Sequence, residues 1–362
     1  MDTPATVDFI MQRLTQMGYQ PQKCGVSGVT ATVGKGGKTI LLRADMDGLP
    51  MGEDSGLEFA SKVPGRAHTC GHDCHAAMLL TAAQILKEHE DSLEGTVKFM
   101  FQPGEEVFGG AADMIAAGIL ENPKVDAALA MHLFPVFDLG FLGYRAKELM
   151  ASVDGFEITI TGVGCHGAQS FNGVDPINIG AHLHIALQEL IAREIDSNEM
   201  ALLTIGKFVA GDAANIIPQT AVLQGTIRTL SATTRKFLLQ RLKEVTEGVA
   251  KTFRGSATIK MLSEVPVNYC EPAVVQGHID HIRKEYGEML DIQEVKPLQG
   301  SEDFALVAAQ VPSTYFIVGA GFPGEDKVRA VHNPKVEFNE KALPNGAAIY
   351  AECAMNWLKT HK

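Results

Sequence analysis

Disulfides, a membrane anchor and nucleic-acid binding are what this sequence most clearly lacks the means for. Its six cysteines, at 24, 70, 74, 165, 270 and 353, show no scaffold spacing and read as reduced thiols. No apolar run reaches the roughly 20 residues of a bilayer crossing. The N-terminus has no basic stretch followed by an apolar core, so the expectation is a cytoplasmic protein without membrane contact. Positive charge is scarce: 31 Lys and Arg stand against 43 Asp and Glu, a net −12 that repels phosphate backbones and argues against nucleic acid. Internal repeats, low-complexity segments and long linkers are missing too. So are the Gly-x-Ser-x-Gly elbow and His-Glu-x-x-His, which sets aside the nucleophiles and zinc helices those motifs build.

A dinucleotide fingerprint is present only in outline. Gly162-Val163-Gly164-Cys165-His166-Gly167 follows a strand, but the next helix opens later, at Asp175-Pro176. The acidic residue expected to end a second strand, Glu189, falls within that helix. Nicotinamide and flavin binding are therefore rejected.

What the chain has is the run His68-Thr69-Cys70-Gly71-His72-Asp73-Cys74-His75, placed at the start of the helix-forming segment Ala76 to Ala83. A helix N-terminus favours anions and lowers a thiol's pKa, and Cys70 and His72 can turn toward one point. A structural zinc knuckle needs a second paired ligand set, and the chain has none. The surrounding pattern alternates strand and helix. Strands are expected at Val29 to Val33, Thr39 to Arg43, Thr96 to Phe101 and Val125 to Met131, with Gly34 to Gly37 as a hairpin loop between the first two. Such alternation implies a largely parallel sheet whose ligands sit beyond the carboxyl ends of the strands. Three strands deliver acids or imidazole there: Asp45 and Asp47, Glu105 and Glu106, and His132.

From Val153 the order becomes β-α-β-β-α-β, the split motif of ferredoxin-like domains. The expected organisation is thus a mixed, largely parallel α/β domain over residues 1–152 and 266–362, interrupted at 153–265 by an α+β insertion. A helix from His278 to Glu288, a buried strand from Ser313 to Val318 and a closing helix from Asn345 to Leu358 complete the chain.

Arg43-Ala44-Asp45-Met46-Asp47-Gly48-Leu49-Pro50, the His68–His75 run and Phe101-Gln102-Pro103-Gly104-Glu105-Glu106 together resemble the M20 metallopeptidase family. The likeness is greatest to its amidohydrolase branch of hippurate hydrolases, N-acyl-amino-acid deacylases and indole-acetyl-amino-acid hydrolases. Met131-His132, Gly162 to Gly167, Ala214 to Pro218, Gly225 to Arg228, Gly300 to Phe304 and His332-Asn333-Pro334 extend the match, in order, over nearly the whole chain. The resemblance implies a two-metal hydrolase whose inserted domain acts as lid and dimer contact, giving a homodimer or higher homo-oligomer.

It also implies the site. Cys70, His72, Glu106, His132 and His332 would hold two divalent ions per subunit, Zn²⁺ or Mn²⁺, with Ni²⁺ or Co²⁺ compatible. Glu105 would be the general base, His166 an oxyanion donor reaching the partner subunit, and Arg228 with Asn215 the holders of a substrate carboxylate. Asp45, Asp47 and Asp73 are expected to hold imidazoles by hydrogen bonds; Cys74 and His75 are expected to pack or cap the helix. The expected reaction is amide hydrolysis of a small-molecule N-acyl amino acid. A metallo-dipeptidase or aminopeptidase is the alternative within the fold, and a non-catalytic metal-bound binding protein the alternative outside catalysis. Three departures from the family pattern stand out: relatives usually carry an extra N-terminal helix before the point where this sequence starts, Ser170-Phe171 stands where they carry Pro-His, and Pro103-Gly104 where Pro-Ala is commoner.

Overall fold

The strand Thr39–Asp45 is buried along its whole length, Arg43 and Asp45 included. A strand covered on both faces belongs in the middle of a sheet with helices on either side. In the computed structural model, which describes residues 3–324 and 329–362, it lies between Thr96–Gln102 and Ala127–Asp138, parallel to both. Among the described residues the sheet has eight strands, and four of its seven pairings are parallel. The expected mixed, largely parallel α/β sheet is therefore present.

The hairpin expected around Gly34–Gly37 is not. Gly28–Gly34 pairs antiparallel with Thr96–Gln102, which lies between it and Thr39–Asp45. Glycines at positive φ (Gly34, Gly36 and Gly37) close a hairpin or step across one intervening strand equally well, since two strand spacings are only about 10 Å. Burial decides between them: the helix His72–Glu88 returns the chain for Thr96–Gln102 to pair in parallel beside the fully buried strand. Two further elements run beyond their expected limits. The Ala127–Asp138 strand passes through His132 rather than stopping before it, because Ser313–Gly321 continues alongside in parallel. The helix expected from His278 begins at Pro272, a proline in the first turn where its missing N–H costs nothing.

The chain divides into two compact units. The first holds the described residues up to Leu149, together with Tyr269–Lys296 and Asp303–Lys362, and contains the large sheet. On it the helices His72–Glu88 and Leu343–Thr360 pack against each other. They meet at a glycine: a Cβ on Gly346 would lie 2.0 Å from the Met78 sulfur, so any side chain there requires Met78 to move.

The second unit is Met150–Asn268 with Pro297–Glu302. Its four-stranded antiparallel sheet runs in the order Ala201–Ala210, Thr220–Thr229, Val153–Thr161, Ser256–Val265. With the helices Pro176–Arg193 and Ala232–Thr252 between strands, this is the ferredoxin-like arrangement. Phe156, Ile158, Ile160, Ile179, Leu183, Leu187, Leu223 and Leu238 fill its core. Both helices begin as their sequences dictate. Asp175 accepts from Ile177 N at 2.8 Å, and Ser231 Oγ from Thr234 N at 3.1 Å. All six cysteines are unpaired, and among the described residues no helix is long and apolar enough to cross a membrane.

Candidate metal centre

The site is assembled at the carboxyl ends of the central strands of the first unit. Thr39–Asp45 ends on Asp45 and leads into Asp47. Thr96–Gln102 ends at Pro103, and the chain turns through Gly104 at φ 66° into Glu105-Glu106. Asp47 ties these pieces together. Its Oδ1 accepts from Glu105 N and its Oδ2 from Glu106 N, each at 3.2 Å, and Oδ1 lies 3.3 Å from His72 Nδ1. Burial alone would raise the Asp47 carboxyl. The His72 hydrogen bond and charge and the Glu106 N–H outweigh it and hold the pKa below the usual carboxylate value.

Gly71, at φ 84°, caps the helix that opens with His72. A Cβ there would come 2.9 Å from the Phe338 ring, so glycine is demanded by both backbone and space. The last histidine arrives from far along the chain. His332 adopts a left-handed φ of 65°, uncommon outside glycine, and its N–H donates to Thr69 O at 2.8 Å.

Four elements thereby bring the five expected ligands to one place. Cys70 Sγ lies 3.3 Å from His132 Nε2 and 3.3 Å from His332 Nε2. Glu106 Oε1 lies 3.2 Å from His332 Nε2 and 3.9 Å from His72 Nε2. The donor atoms of Cys70, His72 and His132 fall within 4.8 Å of one another, as do those of Cys70, Glu106 and His332, so two three-donor groups share one sulfur. His72, Glu105 and Glu106 form a further such group, which places the Glu105 carboxylate beside the others.

The donors fit divalent metal. His72 Nε2 and Glu106 Oε1 are buried and have no hydrogen-bond partner, which is costly unless something else occupies their lone pairs. Glu106 Oε1 is close to His332 but outside hydrogen-bonding geometry. Thiolate, imidazole and carboxylate together suit Zn²⁺ and its first-row neighbours. The local field also favours cations. Burial lowers His72, yet Asp45 and Asp47 drive its pKa well above the ordinary histidine value. His332 is pushed up to about 10 by its contacts with Cys70 and Glu106. His132, fully buried and beside His75, is held well below.

The supporting residues follow the sequence reading only in part. Asp47 holds an imidazole of the cluster, as expected. Asp45 also holds an imidazole, that of His75 at 2.6 Å, whereas Asp73 is exposed on the rim of a 510 Å³ groove between the helices Pro4–Gln16 and His72–Glu88. His75 does more than pack: its Nε2 accepts from Leu133 N at 2.9 Å. Behind Asp45, the fully buried Arg43 donates to Asp45 at 2.7 Å, to Gln102 at 2.9 Å and to Asp303 at 3.1 Å. Sequence reasoning passed over Arg43, Gln102 and Asp303; an arginine within an otherwise apolar strand was the available signal.

His166, Asn215 and Arg228 belong to the second unit. His166 is exposed on the short strand Cys165–His166, which pairs with Ile216–Ile217, and its Nδ1 accepts from Ala168 N at 3.1 Å. The Asn215 carbonyl accepts from Gly167 N at 2.8 Å, so Asn215 sits next to His166. Arg228 reaches Ser301 Oγ at 2.9 Å and the Gln299 carbonyl at 3.3 Å. Half-buried, with no ion pair among the described residues, its guanidinium has a pKa lowered by desolvation.

Residues 41–356 match the model of peptidase family M20/M25/M40. The chain belongs to the M20 family. This M20 protein is 36% identical over 360 residues to IAA-amino acid hydrolase ILR1-like 4 of Arabidopsis thaliana, covering 98% of this chain and 81% of that one. It is 35% identical over 361 residues to N-acetyl-L-cysteine deacetylase of Bacillus subtilis, covering 99% and 84%. Among solved structures, the YxeP protein of Bacillus subtilis, described as a dinuclear metal-binding peptidase of the M20 family, superimposes with a TM-score of 0.83. It is 31% identical, over 98% of this chain and 92% of that one. The M20 chain is accordingly a metal-dependent hydrolase of the amidohydrolase kind.

Proposed function

We propose that this M20 hydrolase cleaves the amide bond of N-acyl amino acids, releasing a carboxylic acid and a free amino acid. One observation carries the reading: two donor groups share the Cys70 sulfur, hold two unsatisfied buried donor atoms, and lie next to the Glu105 carboxylate. The relatives named for an IAA-amino acid and for N-acetylcysteine support the substrate class.

Cys70, His72, Glu106, His132 and His332 would hold two divalent ions, Zn²⁺ or Mn²⁺ first and Co²⁺ or Ni²⁺ next. Ions bound there supply Lewis acidity toward an amide carbonyl and make a water acidic near neutral pH. The protein's own groups do the rest. Glu105 takes the water's proton and returns it to the leaving amine. Asp47, bonded to the backbone of both glutamates, keeps Glu105 and Glu106 in their separate tasks. Arg228, with Asn215, binds the carboxylate of the amino-acid half. His166 donates to the oxyanion in the active site of the partner subunit of a homodimer formed through the second unit. The enzyme would work in the cytoplasm.

The test is Glu105→Gln. It should load as much metal as wild type by elemental analysis and lose turnover of hippurate or acetyl-amino acids by about 10²–10⁴-fold. Wild-type turnover in this variant refutes Glu105 as base. Faster turnover of dipeptides with a free α-ammonium would replace the reading by a peptidase, and metal binding without any amide hydrolysis by a binding protein.

A further inference from the structure

The strand Ala127–Asp138 outruns its neighbour. Its ladder with Thr39–Asp45 ends at the pairing of Arg43 with Ala130, two residues before His132. Beyond that point the buried Leu133 N–H has no strand partner on this side. A buried N–H left unpaired is costly, and here the His75 ring takes it, Nε2 to N at 2.9 Å.

That contact fixes a tautomer. A backbone N–H only donates, so His75 Nε2 carries the lone pair and the proton sits on Nδ1. From Nδ1 it is donated to Asp45 Oδ1 at 2.6 Å. The other Asp45 oxygen accepts from Arg43, which Gln102 and Asp303 hold in turn. A flipped His75 ring would set C–H groups against both partners. The same logic applies at the carbonyl of the same residue. The Leu133 carbonyl only accepts, and His132 Nδ1 lies 2.7 Å from it. His132 therefore carries its proton on Nδ1, and its Nε2 lone pair faces Cys70 Sγ at 3.3 Å.

We propose that His75 is a positioning residue of the metal centre: by holding the N–H of Leu133 it places the Leu133 carbonyl that sets the tautomer and direction of His132. The inference rests on the reading of His132 as a metal ligand. His75 touches neither substrate nor the shared sulfur; its ring lies 4.5 Å from that of His132, and it sets the direction of His132 through the backbone of Leu133. Outer hydrogen-bond partners of metal ligands are typically worth 10–100-fold in metal affinity.

The experiment compares three substitutions in the full chain, titrated with Co²⁺ against a competing chelator, with the thiolate-to-cobalt absorption band as second readout. His75→Asn keeps a donor toward Asp45 and loses the acceptor for Leu133. His75→Gln offers an oxygen near the position of Nε2 and keeps that acceptor. His75→Leu keeps neither. The expected result is Co²⁺ affinity about 10–100-fold weaker, with a shifted spectrum, for Asn and Leu, and affinity within about threefold of wild type for Gln. Equal affinities and unchanged spectra in all three overturn the inference alone, leaving the metal site intact. A wild type that takes up no Co²⁺ overturns the metal site and the inference with it. Should the variants fail to fold, long-range ¹H–¹⁵N spectra of the metal-free wild type decide. Nδ1 protonation of both His75 and His132 supports the relay, and Nε2 protonation of either overturns it.

Discussion

Arg228 is held by two neutral oxygens, Ser301 Oγ and the Gln299 carbonyl, which orient a guanidinium without neutralising it. A half-buried cation in that state is suited to a substrate anion. Arg228→Lys should raise KM for N-acyl amino acids by about 10-fold or more, and change KM for the corresponding amides much less, because a lysine cannot reproduce the bidentate geometry. Steady-state kinetics on matched acid and amide substrates checks this, and equal changes on both would speak against carboxylate binding. His278 gives a second residue-scale prediction. It is buried between its helix, the strand Ser313–Gly321 and the closing helix, and burial, with His281 and His361 nearby, pushes its pKa down to about 3. His281 itself pairs with Glu352. A depressed histidine pKa means the unfolded chain binds the extra proton. Its neutral burial therefore costs nothing above about pH 6.5, and stability is lost below that at about 1.4 kcal/mol per pH unit until about pH 3. His278→Met should remove that loss: urea unfolding of metal-stripped protein should show about 2 kcal/mol less destabilisation between pH 7 and 5 than wild type. The five clustered donors were legible because cysteine and histidine runs and strand-end acids are local signals. The link from His75 to Leu133 was not, because it exists only where the pairing between two strands ends three residues before that N–H.

At the scale of elements, the helix that begins at His72 is placed by its contact with Leu343–Thr360, and Gly346 sets how closely they approach. Gly346→Ala puts a methyl into the Met78 sulfur and should cost about 1–3 kcal/mol despite alanine's better helix propensity. Pairing it with Met78→Ala should cost less than the sum of the two single changes, since the smaller side chain makes room for the methyl. Chemical denaturation of the four proteins measures that coupling, and strict additivity would show that the contact does not set the spacing. The helix start at Pro176 was readable from Asp175-Pro176, because capping chemistry is confined to a few adjacent residues. Strand pairing was less so. The Gly34–Gly37 loop has the chemistry of a hairpin, yet the strand between its two ends comes some sixty residues later. The short strands Phe141–Tyr144 and Asp291–Glu294 escaped notice because four residues carry too little periodicity to register.

For the whole molecule, the proposed trans role of His166 makes a prediction that no cis arrangement shares. His166→Ala and Glu105→Ala dimers should each be nearly inactive, as losing one oxyanion donor or the base costs about 10²-fold or more. Mixing them under conditions of subunit exchange should restore activity, because one site of each heterodimer inherits both defects and the other neither. If His166 served its own subunit, every site would keep one defect and mixing would restore nothing. Activity assays before and after exchange, with mass spectrometry to confirm heterodimers, distinguish the two. The family resemblance was legible across nearly the whole chain because its motifs recur in order, whereas nothing in the motif Gly300 to Phe304 showed that Pro297–Glu302 joins the second unit while Asp303 onward belongs to the first.

The discontinuity of the first unit has a consequence for biosynthesis. Ala127–Asp138 emerges from the ribosome flanked on one side by Thr39–Asp45, but its other partner, Ser313–Gly321, is not made until 183 residues later. At about 5–20 residues per second that is a delay of roughly 10–40 s. In that interval the whole of the second unit is translated and can fold, while the nascent first unit presents an apolar strand edge and only four of its five expected ligands. His332 is made last of the five, so the proposed metal centre is completed only after Ser313–Gly321 has been made. Until then the open edge is a place where nascent chains can pair with one another or be shielded by a chaperone.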